Sequence, residues 1–403
     1  MKPFSLLIKP ASADCNLNCS YCFYLEKKSL YPETKIHRMP DEVLDKMISS
    51  YLQTPQPQYS FGWQGGEPTL MGTEFFKKVV GLQQKHGRPG TVVGNGLQTN
   101  ATLIEDELAA HFARYNYLLG VSLDGPPEIH DHYRKNHLGA GSHAEVIKAI
   151  EILKNNKVEF NILTLVSKSN VGKSKQVYKY LLDNGFLFHQ YIPCVEFDAD
   201  GNPFEWSITG REWGEFMCGV FDCWAATDTR KVSIRLFDSI LWYLVEGQRN
   251  ICHLGRNCCQ YFVVEYNGDV YPCDFFVDPK LKLGNIMDNS WEELQDSVKY
   301  KDFGALKSKW NSECEKCQCF ELCAGDCLKH RLPQSMNNPR TVSWLCEGWE
   351  IFYAHSMKKF KKLAEQIRKE RVAQNNRSAS FTQLSMALSP KEPRAGFGET
   401  GIL

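Results

Sequence analysis

The stretch Cys15-Asn16-Leu17-Asn18-Cys19-Ser20-Tyr21-Cys22 places three cysteines at C-x3-C-x2-C spacing, directly after a strand-like segment, Phe4–Lys9. Three thiolates on one compact loop can hold three irons of a [4Fe–4S] cube and leave the fourth iron open. Structural zinc sites pair cysteines as C-x2-C twice and close with four ligands, so an odd set of three argues against zinc. Working outward, further strand patterns fall at Tyr59–Gln64, Thr91–Gln98, Tyr117–Leu123, Phe160–Val166 and Phe188–Pro193. Helical patterns lie between them, such as Asp41–Leu52, Glu74–His86 and His143–Lys154. In the first of these, Val43, Leu44, Met47 and Ile48 share one face, as an amphipathic helix requires. Six strands alternating with five helices predict an α/β fold, a parallel sheet with right-handed crossovers curled into a partial (β/α)6 barrel. An open sheet covered on both faces fits the same periodicity.

Composition narrows the class. The 403 residues suffice for two or three domains, at roughly 150 residues each. With 43% hydrophobic and 23% charged residues the chain has the make-up of a soluble globular protein. Lysine plus arginine equals aspartate plus glutamate, 47 each, so no global charge draws it to nucleic acid or an anionic membrane. The opening MKPFSLLIKPAS has too short an apolar run for a signal peptide and no small-residue cleavage site. No stretch approaches the ~20 apolar residues of a membrane span. The expectation is a cytoplasmic protein with neither nucleic acid nor membrane as partner.

Sixteen cysteines stand out against that background, and ten of them fall between Cys252 and Cys346. In a large chain without an export signal, short regular spacings point to metal rather than disulfides. This region has few long periodic segments and is expected to fold around its metals. Ahead of it the strand–helix alternation breaks near Ala199–Trp213, and helical patterns follow at Glu212–Ala226 and Leu236–Glu246. Behind it, Trp349–Arg371 carries an apolar stripe of Trp349, Phe352, Tyr353, Phe360, Leu363 and Ile367. The lysines on its other face (Lys358, Lys359, Lys361, Lys362) read as a solvated surface. Residues after Val372 are rich in Ser, Pro, Gly and Asn and read as a disordered tail. The expected boundaries are a barrel over 1–235, a loop-rich cluster domain with a C-terminal helix over 236–371, and a tail over 372–403.

The three-cysteine loop, with Tyr21 before its last cysteine and Phe23 after it, resembles that of the radical S-adenosylmethionine (SAM) superfamily. The resemblance implies a [4Fe–4S] cluster whose open iron chelates the amino and carboxylate groups of SAM. Matching segments stand at later strand ends: Gln64-Gly65-Gly66-Glu67-Pro68, Gln98-Thr99-Asn100 and Ser122-Leu123-Asp124-Gly125-Pro126. It further implies cofactor contacts from Tyr21, from Gly65, Gly66 and Glu67 near the SAM ammonium, and from Ser122 at the ribose or carboxylate. Arg134 would fork onto the carboxylate, and Val195 would give an aliphatic contact. His130 and His132 take no role.

The later cysteines run Cys252-x5-Cys258, Cys273, Cys314-x2-Cys317-x5-Cys323-x3-Cys327 and Cys346. This is similar to the SPASM extension of radical SAM enzymes that modify peptides and proteins. Eight ligands suffice for two fully ligated [4Fe–4S] clusters. The resemblance assigns Cys252, Cys258, Cys273 and Cys327 to the first and Cys314, Cys317, Cys323 and Cys346 to the second. Cys194, Cys218 and Cys223 are left as buried thiols, while Cys259 and Cys319 neighbour true candidates.

Within that superfamily the chain most resembles the anaerobic sulfatase-maturating enzymes, over about residues 4–360. The likeness rests on Leu7-Ile8-Lys9-Pro10-Ala11-Ser12, Cys22-Phe23-Tyr24-Leu25, Trp63 to Leu70, Val158-Glu159-Phe160-Asn161, Asn267 to Asp274, and Leu283-Gly284-Asn285-Ile286. Gly96 and Ala101, where Ser and Gly are expected, depart from it. That family converts a sulfatase cysteine or serine to Cα-formylglycine. SAM supplies a 5′-deoxyadenosyl radical that takes a β-hydrogen, and an auxiliary cluster takes the second electron. The resemblance makes Asp274 the base that accepts the thiol or hydroxyl proton. It also implies two partners, an unfolded or nascent sulfatase polypeptide and an electron donor such as flavodoxin or ferredoxin. A peptide-modifying enzyme that forms thioether or carbon–carbon crosslinks would carry the same clusters. A simple electron-transfer module would need neither the three-cysteine loop nor Gly65-Gly66-Glu67-Pro68.

Overall fold

The structure, a computed structural model, describes residues 1–331 and 341–385. Strands β1 (Ser5–Lys9), β2 (Tyr59–Trp63), β3 (Val93–Thr99), β4 (Leu118–Ser122), β5 (Glu159–Val166) and β6 (Phe188–Pro193) each pair in parallel with the next. Helices 41–52, 72–86, 106–114, 143–155 and 174–183 form the crossovers. Val43, Leu44, Met47 and Ile48 are buried on the first of them, as their spacing predicts. Leu6, Ile8, Phe61, Trp63, Leu97, Leu119 and Ile162 carry one continuous core across the strands.

The sheet does not stop at six strands. β7 (Ser233–Ile234) adds in parallel to β6. β8 (Tyr261–Glu265) adds in parallel to the other side of β1, pairing Leu6 with Phe262 and Lys9 with Glu265. β9 (Asp269–Tyr271) and β10 (Gly284–Asn285) continue antiparallel, for ten strands in the order β10-β9-β8-β1-β2-β3-β4-β5-β6-β7. The sequence reading assigned no strand to the cysteine-rich segment, and this is a correction. Tyr261-Phe-Val-Val-Glu is short and buried on both faces, so it lacks the alternation that marks a half-buried strand. Phe262, Val264, Trp291 and Tyr300 thereby join the barrel's own core.

The last helix, Cys346–Ser385, runs past Arg371 into the segment expected to be a tail, of which residues 386–403 lie outside the described residues. It crosses helix Gly210–Cys223, whose start is closed by the reciprocal Thr209–Glu212 capping box. A Cβ on Gly348 would overlap the Gly210 carbonyl, and one on Gly214 would sit 2.7 Å from the Gly348 carbonyl. The two backbones touch there, with Trp213 and Trp349 packed beside the crossing at a centroid distance of 5.7 Å.

Candidate active site

Cys15, Cys19 and Cys22 lie in the loop that leaves β1, around a small apolar cluster of Leu17, Tyr21 and Cys194. The Gly65-Gly66 loop is bonded to this loop backbone to backbone: Gly66 N–H donates to Ser12 O at 2.8 Å and Glu67 N–H to Asp14 O at 2.7 Å. Gly65 has φ +118°, and a Cβ there would lie 2.6 Å from Ser12 O; a Cβ on Gly66 would overlap the Asp14 carbonyl. The glycines are thus required by the approach of the cysteine loop itself. Glu67 also works inside the protein. It is fully buried, and burial raises its pKa against donors from Asn100 N, Thr69 N, Thr69 Oγ1 and Thr99 Oγ1 at 2.7–3.0 Å. Its carboxylate ties the ends of β2 and β3 together.

The sulfurs sit among N–H donors. Leu17 N–H lies 3.4 Å from Cys15 Sγ and Asn100 Nδ2 3.6 Å from it. Such bonds to a ligating sulfur orient it and stabilise charge on it. Burial pushes Cys15 up to about 12 and Cys19 to about 11, and a metal ligand must be the thiolate.

Arg134 does not face an open space. Its Nε and Nη2 lie 2.9 and 3.2 Å from the two oxygens of Asp124, which also accepts from the Tyr21 hydroxyl. Burial would raise Asp124, but the guanidinium outweighs it and holds the carboxyl low. Asp124 was quoted in a motif but given no role; spacing does not reveal that it orients both Tyr21 and Arg134. Ser122 Oγ accepts from Gln98 Nε2 at 3.1 Å at the end of β4, and Val195 is fully buried just after β6. His130 is buried between Asp124 N and Ser142 Oγ, and burial holds it down at about 3.

Asp274, directly after Cys273, reaches the first cysteine loop. Its Oδ2 accepts from the Tyr24 hydroxyl and from Gln64 Nε2 at 3.3 Å, while Lys9 Nζ lies 3.8 Å from Oδ1. Lys27 Nζ donates to the Asp274 carbonyl at 2.8 Å, and burial lowers this lysine to about 8. Lys329 pairs with Glu196 at 2.7 Å and lies over the rings of Phe23 and Phe275, which are 5.2 Å apart. Lys9, Tyr24, Lys27 and Lys329 were missed as site residues because they arrive from unrelated segments.

The eight later cysteines fall into two groups. Burial raises the thiols of Cys258 and Cys327, neighbouring Cys252 and Cys273 raise both further, and the Tyr261 hydroxyl lies 3.3 Å from Cys273 Sγ. Cys314, Cys317, Cys323 and Cys346 line a cavity of about 70 Å³ with Phe320 and Trp349. The short turn from Cys323 to Cys327 separates the groups: Ala324, Gly325 and Asp326 have successive left-handed φ of 48°, 72° and 59°. Cys319 lines the same cavity, with its N–H 3.4 Å from Cys317 Sγ. Cys259 turns away and donates to Tyr300 O at 3.2 Å. Cys194 is buried, whereas Cys218 and Cys223 are half-buried. Among the described residues no three His, Cys, Asp or Glu side chains converge tightly enough for a single ion. The ligands of a four-iron cube bind separate corners and stand further apart. A larger hollow of about 740 Å³, lined by Arg38, Met71 and Phe75 among others, has none of these cysteines in its lining.

Family models match residues 10–181 as the radical SAM superfamily and 252–318 as the SPASM iron–sulfur cluster-binding domain. The serine-type anaerobic sulfatase-maturating enzyme of Bacteroides thetaiotaomicron is 36% identical, over 88% of this chain and 89% of that one. The cysteine-type enzyme of Clostridium perfringens is 37% identical, over 91% of this chain and all of that one. The solved structure of native anSMEcpe with bound AdoMet and Cp18Cys peptide superposes with a TM-score of 0.85 at 38% identity, covering 91% of this chain and 100% of that one.

Proposed function

Because the chain belongs to the anaerobic sulfatase-maturating enzymes, we propose that it oxidises the active-site cysteine or serine of a sulfatase to Cα-formylglycine. One observation carries the reading: Asp274 joins the first cysteine loop, through Tyr24 and Gln64, to Cys273 of the first later group. When bound, SAM and three [4Fe–4S] clusters supply the radical that takes the β-hydrogen and the acceptor for the second electron.

The donor sets fit those groups. Cys15, Cys19 and Cys22 leave one iron for SAM. Cys252, Cys258, Cys273 and Cys327 close the first auxiliary cluster, and Cys314, Cys317, Cys323 and Cys346 the second. With the N–H groups of Gly66 and Glu67 spent on Ser12 O and Asp14 O, the Gly65-Gly66-Glu67 segment would hold the SAM ammonium through its carbonyls, with Ser122 and Val195 beside it. Tyr21 and Asp124 fix the Arg134 guanidinium, which keeps further N–H donors for the SAM carboxylate beyond the two spent on Asp124. Asp274 takes the substrate proton, and among the described residues its buried Oδ1 has no hydrogen-bond partner to compete for it. Phe23 and Phe275 pack against each other beside Asp274, with Lys329 over both rings. The substrate is an unfolded or nascent sulfatase chain, and a flavodoxin or ferredoxin supplies the electron. The reaction belongs in the cytoplasm; among the described residues no helix is long and apolar enough to cross a membrane.

The test is anaerobic reconstitution to about twelve irons per chain, from three four-iron clusters. The protein is then assayed with peptides carrying Cys-x-Pro-x-Arg and Ser-x-Pro-x-Arg. An aldehyde product that needs both SAM and reductant is expected from at least one peptide. SAM cleavage with both peptides intact would refute the substrate while leaving the chemistry of the fold.

A further inference from the structure

Among the described residues Lys307 is a buried lysine with no carboxylate partner. Its residue is 1% exposed, and its Nζ donates to the carbonyls of Asp326 at 2.6 Å and His253 at 3.0 Å. Among the described residues it makes no ion pair. The nearby Asp326 carboxylate turns instead to His330 Nδ1 at 2.8 Å and Ser343 Oγ at 2.7 Å. A desolvated ammonium held by carbonyls alone is strongly disfavoured, so an anion belongs beside it.

Its position says which anion. His253 follows Cys252 and Asp326 precedes Cys327, so both carbonyls that grip Lys307 adjoin cysteines of the first auxiliary set. Arg331 joins it on the turn between the sets, donating to Gly325 O at 2.8 Å and Lys307 O at 3.2 Å.

We propose that Lys307 is the built-in countercharge of the first auxiliary cluster and raises that cluster's readiness to accept the substrate's electron. This rests on the reading that these cysteines bind clusters. A [4Fe–4S] core of charge 2+ with four thiolates is a dianion; one added electron makes it a trianion. A fixed cation in a low-dielectric interior stabilises the more negative state more strongly. The electron balance is that of the oxidation itself. The substrate carbon radical loses one electron to the cluster, and its thiol or hydroxyl proton goes to Asp274. The bland alternative is that Lys307 only clamps two loops through their carbonyls.

The experiment is a potentiometric titration of the reconstituted full-length protein, followed by electron paramagnetic resonance, for wild type, Lys307→Met and Lys307→Arg. Lys307→Met is expected to keep its iron and become at least tenfold harder to reduce at the first auxiliary cluster, a shift of about 59 mV to more negative potential. Lys307→Arg is expected to stay near wild type. Loss of four irons in Lys307→Met with full iron in Lys307→Arg also supports the countercharge. Unchanged potentials in an iron-replete Lys307→Met overturn it, and so does equal iron loss in both variants, which would make side-chain shape the requirement. Wild-type protein that binds only one cluster would instead sink the cluster reading beneath it.

Discussion

Lys9 and Glu265 face each other across the seam between the barrel and the cysteine-rich segment, Nζ to Oε1 at 2.7 Å, with both side chains fully buried. They are register partners in the parallel pairing of β1 with β8. Burial alone would lower Lys9, but Glu265 and Asp274 more than offset it and hold its pKa raised. Such a pair adds little net stability, yet removing one partner strands the other charge. Lys9→Met is expected to destabilise the fold by about 3–5 kcal/mol. The double variant Lys9→Met/Glu265→Gln should recover a large part of that. Urea denaturation of the full double-mutant cycle measures the coupling, and simple additivity of the two single variants would show that the pair is not coupled.

Gly66→Ala is expected to cost the first cluster and spare the other two. Its Cβ would overlap the Asp14 carbonyl, a backbone atom one residue from Cys15, so the cysteine loop must shift. Iron should fall by about four per chain, with SAM cleavage lost and the auxiliary-cluster signals retained. Full iron and normal SAM cleavage in this variant would mean that the two loops can separate without disturbing the three sulfurs.

What the sequence shows of this protein is what is local. Cys15, Cys19 and Cys22 sit within one turn-rich loop, and the strand–helix alternation repeats over short windows, so both read directly. Gly65 and Gly66 also read as a close approach, and the structure places the Ser12–Asp14 backbone against them. The seam did not read, because β8 is five residues with no alternation and its partner strand lies at the start of the chain. The same distance hides Lys307, which looks like any lysine at a helix end until the carbonyls of His253 and Asp326 are found around it. Arg134 was visible as a cation, but its engagement by Asp124 depends on how the end of β4 meets the short helix that follows.

Acid should loosen the barrel through its buried histidines. His189 is 2% exposed, with Nε2 on Phe186 O at 2.9 Å and Nδ1 on the Tyr191 hydroxyl at 3.2 Å. Burial pushes it down from 6.5 to about 4. Between those values the unfolded chain binds a proton that the folded one refuses, so stability from this group is complete above pH 6.5 and is lost as pH falls toward 4. The melting temperature of the anaerobic protein should fall across that window, and His189→Phe should flatten part of the slope. An unchanged slope in His189→Phe would assign the acid sensitivity to other groups, His130 first among them.

The proton acceptor is tested by Asp274→Asn. Tyr24, held protonated by burial and by the carboxylate itself, occupies Oδ2 together with Gln64. Oδ1 faces Lys9 at 3.8 Å and has no hydrogen bond among the described residues, so one oxygen is left for the substrate. The amide keeps the shape and can still accept from Tyr24, but it has no basicity. General-base assistance is typically worth ~10²–10⁴-fold, and formylglycine output should fall by that order while iron content and SAM cleavage persist. Uncoupled cleavage of this kind separates a base from a residue that merely braces Cys273: a brace that the amide preserves leaves formylglycine near normal, and one that it does not preserve releases iron. Tyr24→Phe makes the comparison sharper: it frees Oδ2 without removing the carboxylate, so product should form at a much smaller deficit than in Asp274→Asn. Near-normal formylglycine from Asp274→Asn would remove Asp274 from the role and move the search to the other groups that reach the same pocket, Tyr24 and Lys27.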